Sequence, residues 1–136
     1  SDDIRRTIDI FNAFGDRYDV FTGVDNLAYE ALAVGAVGWV AGLVVAFPHE
    51  TVAIYKLMKA KRYDEALAIY RWFRPLLDLD VSTYLVQNLK LVEALVTGTT
   101  ERVRSPRLAL EGEQRAKVEK IVAEALATRP TLAKAA

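Results

Sequence analysis

The stretch Tyr18–Pro48, YDVFTGVDNLAYEALAVGAVGWVAGLVVAFP, decides how the rest of the chain is read. Two short apolar runs, Val20 to Thr22 and Val37 to Leu43, flank an alanine- and leucine-rich segment opened by Asp25 and closed by Gly35. Apolar runs bounded by turn residues predict buried strands, and the segment between them has the spacing of a helix from about Leu27 to Val34, capped by Asp25-Asn26. Strand, helix, strand makes one parallel βαβ unit. In such a unit the residues just past the carboxyl ends of the strands meet on one face, where α/β proteins build their sites. Here those residues are Thr22-Gly23-Val24-Asp25 and Ala41-Gly42-Leu43.

The same stretch admits a rival reading. Ala31 to Phe47 is seventeen residues without a charge, and a membrane-spanning helix takes about twenty apolar residues. Gly38 and Gly42 even form the small-xxx-small pair of membrane helix contacts. Against this, Gly35, Gly38 and Gly42 would weaken a lone helix, and the Gly-Ala-Val-Gly step fits a helix end followed by a buried strand. The strand reading is carried forward, with no membrane partner.

Outward from this stretch the pattern is helical. Ser1, Asp2 and Asp3 can cap a first helix whose Ile4, Ile8, Phe11 and Phe14 fall at helical spacing until Gly15. Pro48 suits the start of a helix running to about Lys59, with Lys56, Lys59, Lys61 and Arg62 as a solvated cap. The next helix, Tyr63 to about Leu77, places Ala66, Leu67, Tyr70, Phe73 and Leu77 on one face. Its segment YDEALAIYR resembles a helix of a tetratricopeptide repeat, but that architecture needs several copies and none follows. A helix from about Val81 to Val96 carries Leu85, Leu89, Val92 and Val96, and ends at Gly98. A long connection, anchored by Val103, Leu108 and Leu110, leads to a last helix, Glu113 to Ala127, with Val118, Ile121, Val122, Ala125 and Leu126 on one side.

At 136 residues and 52% hydrophobic, the chain has enough apolar surface for one domain with a core. Its eighteen basic and eighteen acidic side chains cancel, which removes the bulk electrostatic case for a nucleic-acid partner. Without cysteine there is no disulfide, thiolate metal site or cysteine nucleophile, and the start carries no apolar signal segment, so a cytoplasmic location is expected. The chain opens on Ser1-Asp2-Asp3 and its one methionine is Met58; it reads either as a chain whose initiator was removed or as a piece of a longer one. The single histidine, His49, is expected at the surface, and no metal set, glycine-rich phosphate loop or Ser-His-Asp set can be assembled. Arg102, Arg104 and Arg107 form either an anion site or a solvated loop; Trp39, Trp72, Tyr70 and Phe73 are expected in the core or an interface. Two parallel apolar strands do not make a sheet that stands alone, so neighbouring strands are expected from elsewhere.

The segments FTGVDNLAYEALAVGAVGWVAGL, FPHETVAIYKLMKAKRYDEALAIYRWFRPLL and VRSPRLALEG, in that order, resemble the second half of a barrel of the dihydrodipicolinate synthase and N-acetylneuraminate lyase family. The resemblance covers Ser1 to Pro130. It implies an α/β fold, the C-terminal portion of a (β/α)8 TIM barrel. The two strands are then the seventh and eighth, followed by the family's C-terminal helices. Residues 1–48 would hold the last βα units, and 49–136 the final barrel helix with a helical extension. Members form a Schiff base between a lysine at the end of the sixth strand and pyruvate or another 2-oxo acid, an electron sink for bond cleavage or formation beside it. By this resemblance that lysine lies upstream of Ser1 and this chain holds no catalytic residue, metal or cofactor.

Carried over residue by residue, Gly23 and Asp25 match the segment facing the second substrate, with Asn26 adjacent, and Val40, Ala41 and Gly42 match the backbone lining the 2-oxo acid pocket. Asp25 is equally a helix N-cap, and Gly23 and Gly42 equally turn glycines. Val45 stands where many relatives carry asparagine, and VSTYLVQNLK replaces the Asn-Pro-x-Pro-x-Lys run of true synthases, keeping only Lys90. The reading is thus the C-terminal segment of a 2-oxo-acid aldolase or deaminase. The alternatives are 4-hydroxy-tetrahydrodipicolinate synthase itself and a non-enzymatic helical interaction module. The implied partners are a 2-oxo acid, the N-terminal half of the barrel on the same or a separate chain, and further copies in a homotetramer or dimer.

Overall fold

The computed structural model describes residues 2–132. The order of elements is α1 (Arg5–Phe14), β1 (Phe21–Thr22), α2 (Ala28–Ala33), β2 (Gly38–Trp39), α3 (Pro48–Lys59), α4 (Tyr63–Leu77), α5 (Leu85–Thr97) and α6 (Gly112–Ala127). Three 3₁₀ turns, Asp25–Leu27, Leu43–Val45 and Asp78–Val81, join them. The molecule is mostly helical, with one small parallel sheet: Phe21 pairs with Gly38 and Thr22 with Trp39. Flanking amides lengthen the ladder, Val37 N–H donating to Val20 O and Val40 N–H to Thr22 O, each at 2.8 Å.

Both strands are shorter than their apolar runs predict. The chain leaves the ladder after Val40, because the next amides, those of Gly42 and Leu43, are bonded to the Asp25 carboxylate rather than to a strand. The expected strand Val37–Leu43 therefore stops at Trp39 and turns into Leu43–Val45. Between the strands, Asp25 and Asn26 do not cap a helix; neither the turn at Asp25 nor α2 has a side-chain cap. Gly35 ends this unit at φ +116°, a left-handed conformation, and its missing Cβ leaves room for the Phe11 ring of α1. The charge-free stretch Ala31–Phe47 is thus broken three times. Among the described residues no helix is long and apolar enough to cross a membrane.

The core lies between the later helices. Phe47 touches Phe73 edge-on with ring centroids 5.5 Å apart, Trp72 stacks on Phe73, and Ile54, Leu76, Leu77, Leu91, Val92 and Val118 are fully buried around them. α3 packs on α4, and α6 on both α4 and α5. α4 buries Ala66, Tyr70, Phe73, Leu76 and Leu77, close to the expected face. α5 differs. It begins at Leu85, since Asn88 Nδ2 donates to Leu79 O and Ser82 Oγ, and Ser82 Oγ accepts the Tyr84 amide, holding residues 82–84 as a turn. Of the expected stripe Val92 is fully buried and Leu89 and Val96 pack partly against the core, while Asn88 and Leu91 are the other buried positions. In the connection to α6, Leu110 is buried but Leu108 is 80% exposed, so only the former anchors the core. Gly98, at φ 76° and ψ 14°, closes α5 in the left-handed conformation glycine favours. His49 is exposed, as are Arg102, Arg104 and Arg107.

Candidate functional site

Asp25 organises the carboxyl ends of the two strands. It is completely buried, at 0% exposure. Trp39 Nε1 donates to its Oδ1 at 2.9 Å, Gly42 N–H to both oxygens at 3.0 and 3.1 Å, and Leu43 N–H to Oδ2 at 2.8 Å. A carboxylate has about four lone-pair sites, and these four contacts take them. One side chain thus fixes the backbone just past β2 to the turn just past β1, across 17 or 18 residues of sequence.

This clamp sets the other candidate residues. Gly23 lies beside the Val40 carbonyl: a Cβ built on it would sit 3.8 Å from that oxygen, ordinary contact, so space alone does not demand glycine there. Val40 is 68% exposed, and Ala41 and Gly42 are half-buried. The strand ends therefore bring Gly23, Asp25, Val40, Ala41 and Gly42 together. Asn26 points elsewhere: its Nδ2 donates to Asp78 Oδ1 at 2.8 Å, an oxygen that also accepts from Arg74 Nε at 2.9 Å.

Two more residues complete the cluster: Asp80, which no sequence pattern singled out, and Tyr70, which the pattern placed in the core. Asp80, in the turn between α4 and α5, lays its carboxyl where a side chain at Gly42 would go; a Cβ there would collide with Asp80 Oδ1 and come within 3.0 Å of its Cγ. Burial, and then the charge of Asp25, push the Asp80 carboxyl up to about 6, while the Asp25 backbone N–H, which donates to it, acts the other way. Tyr70 donates to Glu30 Oε2 at 3.1 Å beneath the Asp25 turn. Burial, followed by the Glu30 charge, holds its phenol well above the usual range, so it remains a donor at ordinary pH. Asp80 sits in the run Leu-Asp-Leu-Asp, indistinguishable by pattern from a helix end; its place is set by contact with Gly42, far away in sequence, and not by periodicity. Gly42→Ala should destabilise the full-length protein by about 1–3 kcal/mol in urea unfolding. Adding Asp80→Ala should recover part of that loss, because it removes the group the new methyl meets.

Comparison with known proteins decides the family. The model of the dihydrodipicolinate synthetase family matches residues 1–125. This chain belongs to the dihydrodipicolinate synthetase family. It is 26% identical over 124 residues to a 4-hydroxy-tetrahydrodipicolinate synthase of Geotalea uraniireducens (strain Rf4), covering 89% of this chain and 42% of that protein. The solved structure of the 4-hydroxy-tetrahydrodipicolinate synthase from Methylacidiphilum fumariolicum SolV superposes with a TM-score of 0.84 at 24% identity, over 93% of this chain and 42% of that one. A 2-keto-3-deoxygluconate aldolase variant from Sulfolobus solfataricus gives 0.78 at 23% identity, over 93% and 43%. At these identities the structural likeness speaks for the fold alone. The chain spans about 42% of the length of the curated relative it matches. The small sheet and helices thus have the fold of part of a dihydrodipicolinate synthetase family barrel.

Proposed function

We propose that this chain is the C-terminal part of a Schiff-base lyase barrel, with β1 and β2 as its seventh and eighth strands and α4 to α6 within the family's helical extension. The observation that carries this reading is the unfinished sheet. β1 pairs only with β2 among the described residues, Phe21 and Val40 are 60% and 68% exposed, and α1 buries none of its residues despite its apolar spacing. A strand pair with open edges and bare apolar side chains fits a barrel whose other strands lie in another segment. Membership of a family whose curated relative is a 4-hydroxy-tetrahydrodipicolinate synthase, an enzyme, favours this over a helical interaction module.

On this reading the exposed face at Gly23, Val40, Ala41 and Gly42 lines the pocket for a 2-oxo acid and its reaction partner, with Asn26 at its margin. Asp25 shapes that wall from behind, its oxygens already committed to the backbone it holds. The electrophile is an imine between a lysine and the 2-oxo acid, which withdraws electrons from the bond being broken or made. A reactive lysine needs a partly desolvated amine at a strand end. Six lysines of this chain lie instead on α3, α5, α6 or the turn after α3, Lys90 paired with Glu93 at 2.8 Å, and Lys134 falls outside the described residues. The lysine is therefore assigned to the N-terminal half. We expect the full-length protein to lose activity irreversibly when treated with pyruvate and borohydride together, and to gain the mass of one reduced pyruvyl group per chain. Full activity with no mass gain would refute the Schiff-base reading.

A further inference from the structure

We propose that Asp80 is a positioning residue for the pocket wall: by packing its carboxyl on Gly42 and accepting the Asp25 amide, it holds residues 40–43 in the conformation that meets substrate. This rests on the reading of that backbone as the 2-oxo acid wall. Asp80 meets both halves of the clamp, the Gly42 side-chain space and the Asp25 backbone N–H. Gly42 lacks the side chain that would displace it, and Gly42 N–H is bonded to both oxygens of Asp25. The carboxyl of Asp80 thus fills the side-chain space of the residue that Asp25 holds by its amide.

The two carboxyl groups on either side of Gly42 give the device a charge dependence. With its proton, Asp80 is a neutral neighbour of Asp25; without it, two negative charges face each other across one glycine. The turn Asp78–Val81 packs against α4, α5 and the Asp25–Leu27 turn. Asp25 is the charged group acting on Asp80. On its own turn Asp78 is held by Arg74 of α4 at 2.9 Å, and on α5 Lys90 is held by Glu93, so neither cation is committed to Asp80. Because the folded chain retains this proton better than the unfolded one, stability contributed by neutral Asp80 is fully present at acid pH. It falls as pH rises through about 6. The role rests on where this carboxyl lies, against Gly42 on the proposed wall.

The test uses the full-length protein, pyruvate as probe, and Asp80→Ala and Asp80→Asn. Amide hydrogen exchange follows Gly42 and Leu43, and the pyruvate concentration that half-saturates borohydride trapping follows the wall. Asp80→Ala should exchange these amides and require pyruvate at levels each raised about tenfold, the scale of a small misplacement in a binding site. Asp80→Asn, a neutral isostere at every pH, should match the wild type at pH 5. The wild type should then weaken relative to it as pH rises past 6. Unchanged exchange and half-saturation in both variants, or a ratio of wild type to Asp80→Asn that stays flat from pH 5 to 8, would overturn the proposal for Asp80 alone. If the wild type itself traps no pyruvate, the 2-oxo acid reading fails and the role of Asp80 fails with it. Should Asp80→Ala not fold, the pH comparison with Asp80→Asn decides.

Discussion

Asp25→Ala should be among the most damaging substitutions in this chain. It would strand the Trp39 indole N–H and the amides of Gly42 and Leu43 without their acceptor. A buried donor left unsatisfied costs about 1–3 kcal/mol, so three together, partly relieved by water entering the vacated volume, should cost about 4 kcal/mol. The loss also reaches function, because the backbone past β2 would no longer be tied to the turn past β1. A shift of that wall by about 1 Å should lower kcat/KM about a hundredfold. On the proposed reading, both KM for the 2-oxo acid and kcat should move, since the carboxylate acts through the wall rather than on one substrate. Asp25→Asn keeps one acceptor oxygen and replaces the other with a donor that faces an N–H, so it should fall between the two. Urea unfolding and steady-state kinetics of the full-length protein check both parts; a variant with wild-type stability would mean that the clamp is dispensable.

The second large effect lies at the other end of the fold. Glu50 on α3 is 1% exposed, and Arg129, just past α6, donates to its Oε1 from Nε at 2.6 Å, a bond spanning 79 residues. The guanidinium also lies 5.4 Å from the centre of the Phe47 ring, while Glu50 Oε2 is buried and has no hydrogen-bond partner among the described residues. The pair is lopsided: the side chain of Arg129 is 36% exposed and that of Glu50 is 2%. Removing the arginine leaves a charge in the core, whereas removing the acid leaves a cation that can turn to water. Breaking a fully buried pair costs about 3–5 kcal/mol, and the exposed end lowers this to about 2–3 kcal/mol for Arg129→Ala. Glu50→Gln should cost about 1 kcal/mol, the scale of one hydrogen bond. Adding Glu50→Gln to Arg129→Ala should restore part of the loss. Equal losses for the two single variants in urea unfolding would show that burial of Glu50 is not what makes the pair matter.

The parts of the fold that were legible in the sequence are those set by neighbours along the chain. Pro48 opens α3, Gly98 closes α5, and the apolar spacing of α4 and α6 picks out Tyr70, Phe73, Val118 and Val122 as buried. What was not legible is set by single polar side chains acting across the fold. The run Val37–Leu43 is apolar enough for a strand, yet Asp25 claims the amides of Gly42 and Leu43 and ends the ladder early. Asn88 breaks the expected α5 stripe because its amide nitrogen is satisfied by Leu79 and Ser82, so a polar residue takes a core position. Glu50 follows Pro48 by two residues and resembles an ordinary acid in a first helical turn; its partner comes only at Arg129. In the candidate site, Gly23, Asp25 and Val40 to Gly42 converge as their places at the strand ends suggest. Asn26 turns to Asp78, and Asp80 joins through space that no local pattern records.

The measurement closest to the central proposal is where the reduced pyruvyl group lands. Full-length protein trapped with pyruvate and borohydride, then digested and mapped by mass spectrometry, should carry the adduct on a lysine outside the sequence described here. Lys56, Lys59, Lys61, Lys90, Lys117, Lys120 and Lys134 should stay unmodified. An adduct on Lys56 or Lys90 would contradict the division of the barrel into a half that bears the imine and a half that walls the pocket.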